Sequence, residues 1–337
     1  DALFNIAPGI GLDIGSKKIK LVTVRLWKKR IQIIDFGSIP TPPGVVEAGY
    51  ILDPERLGEE LGGLVATLKL KGKRVVSAVS GQQIYTRNLV MPRMKLKEMR
   101  EAINFQATTF LPIPVEESAI DIFPLRNFED DEGKKTEVFF VAVRQQQVDN
   151  LDTACRIAGL KLVAVEIEPL ALFRLLGQNT NLNAQAFLNI GAVRSYFTVF
   201  LNGILIYYQS LAFGCSAFLR DTNYTNYEND SLGLDNIEIG QGNESYYLIK
   251  DIIAEVSRSV EYYHMQNEVG INKILLCGGG SRIKGLDVAL ATGIDQNVEI
   301  ADTLADLNIS NNINETEIQE LKHDFPVALG LAVRKVI

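Results

Sequence analysis

The sequence predicts an α/β protein of two lobes built on one plan, with a separate α+β module inserted into the first lobe. Three observations carry the prediction. A strand, a glycine turn and a hairpin follow one another near the start of the chain and again after its midpoint. Later, a short apolar strand runs into three consecutive glycines and a helix. Between the two hairpins lies a stretch of alternating strand and helix patterns that neither accounts for.

The first hairpin occupies residues 11–40, GLDIGSKKIKLVTVRLWKKRIQIIDFGSIP. It reads as an apolar strand, a tight turn at Asp13 and Gly15, and two further strands around a polar turn at Lys28 to Arg30. Alternation puts Ile19, Leu21 and Thr23 on one face and Lys18 and Lys20 on the opposite one, where they could line a cleft. Residues 8–75 form the first lobe on this reading. Residues 76–165 form the inserted module: strands in RVVSAVSGQQIYTRNLVM, a helix in KLKEMREAINFQATTF, a strand pair around the acidic turn EDDEGKKT, a helix in QQQVDNLDTACRIAGL and a strand in KLVAVEIE. Pro112 and Pro114 end the first of those helices and hold Phe110, Leu111 and Ile113 in an extended path. Their expected role is packing on the module's own sheet, with lining a peptide groove as the alternative.

Residues 166–185 and 318–337 are expected to supply helices that complete the first lobe, and residues 186–317 the second lobe. The second hairpin, AFLNIGAVRSYFTVFLNGILIYYQSLAFG, carries Asn202-Gly203 between apolar runs, a turn in which both positions need positive φ. Placing Asp13 on Asn189 aligns Ile14 with Ile190 and Gly15 with Gly191. Next comes a helix with Ile249, Ile252, Ile253, Val256, Val260 and Tyr263 at core spacing and with Glu255 and Ser259 on a neighbouring face. The strand Ile274 to Cys277 then leads into Gly278, Gly279 and Gly280 and a helix beginning near Ser281 or Lys284.

Composition narrows the function. A net charge of −7 over 337 residues argues against a nucleic-acid binder, and no basic stripe with interleaved aromatics stands out in the sequence. No apolar run approaches the roughly 20 residues of a spanning helix, and DALFNIAPGI lacks the pattern of a secretory leader, so a cytoplasmic address is expected. Cys155, Cys215 and Cys277 read as buried thiols. His264 and His323 stand alone, which disfavours zinc chemistry and a Ser–His or Cys–His pair.

One D-I-G is a weak signal, but two copies facing each other would aim backbone N–H groups at an anion, with no Cβ to keep it away. Three glycines after a strand add a close backbone approach and a helix N-terminus. In this order, LDIGSKKIK, LNIGAVRS and LCGGGSRIKGL resemble the two phosphate motifs and the adenosine motif of the actin, Hsp70 and hexokinase class of nucleotide-binding folds. The phrases GLDIGSKKIKLV, FLPIPVEESAIDIFPL, GLKLVAVEIEPLALFRLL, EVSRSVEYY and FPVALGLAVRK further resemble the type IV pilus assembly family PilM, a relative of the division protein FtsA.

That resemblance implies an actin-like fold whose inserted module serves protein contacts. It implies ATP or ADP with Mg2+, oriented through water by Asp13. It gives phosphate contacts to Gly15, Ser16, Lys17 and Lys20 and to Asn189, Gly191, Ala192 and Val193. Gly278, Gly279, Gly280 and Arg282 would meet the adenosine, and Glu255 and Ser259 the ribose or base. Where the family usually has aspartate this chain has Asn189, which cannot carry the charge that helps hold magnesium or orient water, so binding is expected with weak or absent hydrolysis.

The implied partner is the cytoplasmic N-terminal tail of a PilN-like inner-membrane protein, with further contacts to pilus motor ATPases. The chain would then be peripheral to the membrane, with no insertion of its own, and its oligomeric state stays open. Two alternatives compete. A small-molecule kinase of the same class needs a carboxylate base, and none stands in or just after the second glycine turn. A filament-forming division protein like FtsA would carry an amphipathic C-terminal helix, whereas LGLAVRKVI reads as the fold's last helix.

Overall fold

A computed structural model describes residues 8–28, 30–177, 184–219, 244–310 and 313–334. Lys29 of the first expected turn, residues 178–183 of the expected first-lobe helices, residues 220–243 and 311–312 of the expected second lobe and Lys335 to Ile337 of the expected last helix lie outside the described residues.

Two central sheets organise the chain. The first contains β1 (Gly9–Ile14), β2 (Lys18–Trp27), β3 (Arg30–Pro40), β6 (Arg74–Val79), β10 (Lys161–Ile167) and β16 (Leu307–Asn308), in the order β10-β6-β1-β2-β3-β16. The second contains β11 (Ala184–Ile190), β12 (Ser195–Leu201), β13 (Ile204–Leu211), β14 (Ile274–Cys277) and β15 (Val298–Ile300), in the order β13-β12-β11-β14-β15. A small hairpin, β4 (Val46–Glu47) with β5 (Tyr50–Ile51), precedes helix α1 (Pro54–Thr67).

The duplicated plan is visible in the register. Asp13 pairs with Lys20 across β1 and β2, and Asn189 pairs with Tyr196 across β11 and β12. Gly15 N–H donates to the Lys18 carbonyl at 3.0 Å, and Gly191 N–H donates to the Arg194 carbonyl at 3.0 Å. Each antiparallel hairpin has a parallel neighbour on its other side, β6 beside β1 and β14 beside β11.

The first sheet is covered on both faces, so β1 is buried along its whole length. Ile10, Leu12 and Ile14 pack with Leu57 and Leu61 of α1 and with α3 (Gln145–Ile157). On the other face Val22 and Val24 meet Ala328, Leu329 and Ala332 of helix α8 (Pro326–Val333), which follows α7 (Glu315–Asp324). Gly9 and Gly11 point at that helix. A Cβ on Gly11 would fall 2.6 Å from the Ala332 nitrogen and against the Ala328 carbonyl oxygen, so backbone meets backbone and no side chain can yield. Gly11→Ala is therefore expected to lower stability by about 1–3 kcal/mol, the usual cost of overpacking a tight core. A urea titration of the two proteins measures it.

The inserted module is smaller than the sequence suggests. Its own sheet is β7 (Ile84–Pro92), β9 (Gly133–Arg144) and β8 (Ser118–Asp130), in the order β7-β9-β8, backed by α2 (Leu96–Ala107). The strands expected to open and close it, β6 and β10, pair with each other inside the first lobe's sheet, where β6 also pairs with β1, and α3 packs on α1. Propensity identified each element; the long-range parallel pairing that assigns β6 and β10 leaves no local mark. Leu111 and Ile113 are buried in the module's core with Phe140. Helix α4 (Glu168–Leu176) then leads to the second lobe. There α5 (Glu244–Gln266) buries Ile249, Ile252, Val256, Val260 and Tyr263 beside α6 (Leu286–Ile294). The strand into the glycines ends at Cys277 as expected, but a single 3-10 turn at Gly279–Arg282 intervenes before α6 begins at Leu286. All three cysteines are buried, and none is in a disulfide. No helix among the described residues is long and apolar enough to cross a membrane.

Candidate functional site

Parallel strands β1, β6 and β10 all end at one edge of the first sheet, and β11 and β14 end at one edge of the second. Ligands of α/β proteins gather outside such carboxyl edges. Here the two edges face each other across a cleft of about 160 Å³. Asp13, Gly15, Ser16, Lys17, Lys18 and Lys20 line it from one side; Asn189, Gly191, Ala192 and Val193 line it from the other, with Gly278 and Gly279 at the corner. The cleft thus unites most of the residues expected from sequence.

Adjoining it, across Ala192, Val193 and Ser216, lies a second cavity of about 360 Å³ that reaches Leu248, Asp251 and Glu255 of α5. Glu255 therefore borders this extension. Three expected residues line neither space. Ser259 is buried and its hydroxyl donates back to the Glu255 carbonyl, four residues earlier in the same helix. Gly280 is a packing glycine, since a Cβ there would lie 2.6 Å from the Ile190 Cβ. Arg282 turns to the carboxylate of Asp324 at 3.3 Å and to the Gln319 carbonyl.

That last contact belongs to a network tying the glycine corner to α7. Asp324 also accepts from Lys18 at 3.4 Å, and Lys18 lies 3.7 Å from Glu320. Burial works to raise the Asp324 carboxyl, but Arg282, Lys18 and Lys20 outweigh it and hold the group below its usual range. His323 Nδ1 sits 2.7 Å from Ser281 Oγ, so the expectation that both histidines stand alone needs correction. The serine is only 3% exposed and donates its own proton to the Gly278 carbonyl, which makes this pair a fastening and not a nucleophile. Gly278 itself has φ +82, and a Cβ on it would strike the Ile190 carbonyl oxygen at 2.6 Å.

Inside the cleft, Lys20 Nζ donates to Asp13 Oδ2 at 2.8 Å. Burial works to lower the Lys20 ammonium, but Asp13, helped by Asp324 and Glu168, more than offsets it and leaves the group above its usual value. Beside them stands a residue that sequence reasoning missed. Glu168, at the start of α4, lines the cleft floor, where burial, reinforced by the Asp13 carboxylate, pushes it up to about 8. Lys20 and the hydroxyls of Ser80 and Tyr196 pull the other way. The missed signal was Glu168-Pro169 directly after a strand: an acid at a helix start, on a strand that ends at the same edge of the sheet as β1.

A carboxyl raised from 4.5 to about 8 binds its proton more tightly in the folded than in the unfolded chain. Its contribution to stability is complete below about pH 4.5 and is lost as pH rises through about 8. The nucleotide-free protein should therefore melt lower with rising pH across that window, and Glu168→Gln should flatten the profile. Thermal melts from pH 5 to 9 test this; identical profiles would refute it.

A third concavity, of about 990 Å³, separates the module from the first lobe. Consecutive residues of β8, from Ser118 to Phe123, form one wall, and Val165, Glu166 and Ile167 of β10 form part of another. Both are edge strands in their sheets, so each leaves a row of backbone groups without a ladder partner. The floor is apolar, with Val141, Val143, Leu170 and Phe173. At one side Arg174 grips Glu166 through both carboxylate oxygens at 2.8 and 2.9 Å, and Arg334 adds a contact at 2.8 Å.

Comparison with known proteins agrees with this architecture. The family model described as Type IV pilus assembly protein PilM matches residues 11–336. A solved PilM–PilN type IV pilus biogenesis complex is similar at 27% identity and a TM-score of 0.83, covering 98% of this chain and 99% of that one. Two further structures share the fold alone. The ethanolamine utilization protein EutJ from Carboxydothermus hydrogenoformans has 13% identity, a TM-score of 0.56 and coverage of 97% and 89%. MreB5 of Spiroplasma citri, bound to ADP, has 14% identity, a TM-score of 0.52 and coverage of 89% and 93%.

Proposed function

The chain belongs to the type IV pilus assembly protein PilM family, and from that premise we propose that it is a nucleotide-binding adaptor which grips the cytoplasmic tail of a PilN-like membrane protein. The groove between module and first lobe is the observation that carries the reading. Two edge strands and an apolar floor suit an extended peptide, which would add main-chain hydrogen bonds along β8 or β10 and bury alternate side chains. The likeness to a PilM–PilN complex over nearly all of both chains supports that partner. The adaptor is held at the inner face of the cytoplasmic membrane through it, and contacts with the pilus motor belong to the same reading.

The cleft's donors fit a polyphosphate. Among the described residues the N–H groups of Ser16, Ala192 and Val193 take no acceptor, though all three residues line the cleft. Lys17 and Lys20 supply positive charge on the same side. Bound there, the nucleotide would supply phosphate charge that magnesium neutralises, and Asp13 would hold that ion through water. Lys20 neutralises Asp13 and faces the phosphates; Ala192 and Val193 bridge to the extension beside Glu255, where the base fits. Asn189 adds no charge opposite Asp13, and Glu168 holds its proton near neutrality, so the cleft binds better than it hydrolyses. Nucleotide is then a filler that fixes the lobes.

Titrating a synthetic PilN-type N-terminal peptide into the protein by calorimetry tests the adaptor reading. Saturable binding is expected, and no heat at high peptide concentration would refute it. Nucleotide turnover stimulated by sugars or small acids would instead favour the kinase alternative.

A further inference from the structure

One end of the first lobe carries a surface that neither cleft nor groove uses. β1 begins opposite Val24, whereas the β2–β3 hairpin continues to the Trp27–Arg30 pair, an overhang of about 10 Å at about 3.3 Å per residue. Trp27, the chain's single tryptophan, is 50% exposed at that tip, and Leu26 beside it is exposed too. The Arg25 guanidinium lies 5.0 Å and the Lys28 ammonium 6.0 Å from the indole centre. Arg30 is exposed across the turn.

Two other chain segments bring cations to the same end. Lys69, Lys71, Lys73 and Arg74 lead into β6 and are all exposed. The segment entering β10 lies against them: Lys161 pairs with Arg74, and its N–H donates to the Lys73 carbonyl at 2.9 Å. Arg156 and Lys161 are exposed, as is Ile157 between them. Because β10, β6, β1 and β2 are successive neighbours, these segments span about 15 Å of sheet end at about 4.8 Å per strand. None of these cations forms an ion pair among the described residues.

A chain of net charge −7 has thus gathered unpaired cations around an exposed tryptophan. A helix C-terminus explains Arg156, but no helix ends at the hairpin tip. Nucleic acid would satisfy the charges and could stack an unpaired base on the indole, but it offers nothing to Leu26 and Ile157. A bilayer surface offers both: phosphates for the cations and an interfacial zone in which tryptophan rings settle. We propose that this end of the first lobe is a peripheral contact for an anionic lipid surface, with Trp27 at headgroup level. The sequence concealed it because three separate segments build it. It stands whether or not the groove holds a tail.

Trp27 reports on the contact directly. Its emission is followed on adding vesicles of phosphatidylcholine, with and without phosphatidylglycerol, carrying or lacking brominated acyl chains. The expected result is a blue shift with bromine quenching on the anionic vesicles only, reversed by salt. Lys71→Gln/Lys73→Gln/Arg74→Gln should weaken partition on the order of a hundredfold. Absence of quenching on anionic vesicles overturns the proposal, as do equal responses to neutral vesicles or a response to duplex DNA in place of lipid. The three substituted positions are exposed, and the wild-type quenching decides the matter without the variant.

Discussion

Val141→Arg is expected to weaken binding of the PilN-type tail at least roughly thirtyfold, the loss of about 2 kcal/mol that a central contact usually carries, while nucleotide affinity stays unchanged. Val141 lies on β9, half-buried on the groove floor beside Val143, Leu170 and Phe173. An arginine there fills the space an apolar side chain of the tail would take and leaves a cation that the bound peptide would strip of water. The variant keeps its fold, because the position opens onto the groove and the side chain can reach solvent when no peptide is bound. Calorimetric titration of tail and nucleotide against the same preparation gives both numbers. Equal tail affinity in the two proteins would place the partner elsewhere, and loss of both affinities would mean that the substitution disturbed the lobe.

How far the sequence reached is instructive at particular residues. The duplication was legible because a glycine turn followed by an antiparallel hairpin is a local pattern, and the register confirms it at Asp13–Lys20 and Asn189–Tyr196. Lys18 and Lys20 reached the cleft because alternation along a strand fixes a face. What stayed hidden depended on parallel pairing. β6 joins β1 and β10 joins β6 across long connections, and that pairing puts Glu168 near Asp13 and takes both strands out of the inserted module. Arg282 was misplaced for a related reason. Its neighbours in sequence suggest a ligand, but the chain's last helices return an acid, Asp324, to meet it. Charge networks between elements far apart in sequence leave no periodicity to read.

Lys20→Met should reduce nucleotide affinity by roughly ten- to a hundredfold, since a charge-assisted hydrogen bond to an anion contributes about 1.5–3 kcal/mol, with tail binding retained. The variant should also be less stable without nucleotide. The side chains of Lys20 and Asp13 are 15% and 10% exposed, and removing one partner of a largely buried pair leaves the other charge uncompensated, typically costing about 3–5 kcal/mol. Here the orphan would be Asp13, with Glu168 next to it. The double variant Asp13→Asn/Lys20→Met separates the two effects: stability should return, because no unpaired charge remains, whereas affinity should stay low, because the cation is still missing. Urea unfolding and nucleotide titration of the four proteins complete the cycle. A double variant that recovers wild-type affinity would show that Lys20 serves only to hold Asp13, and the phosphates would then have to be held by the turn N–H groups and Lys17 alone.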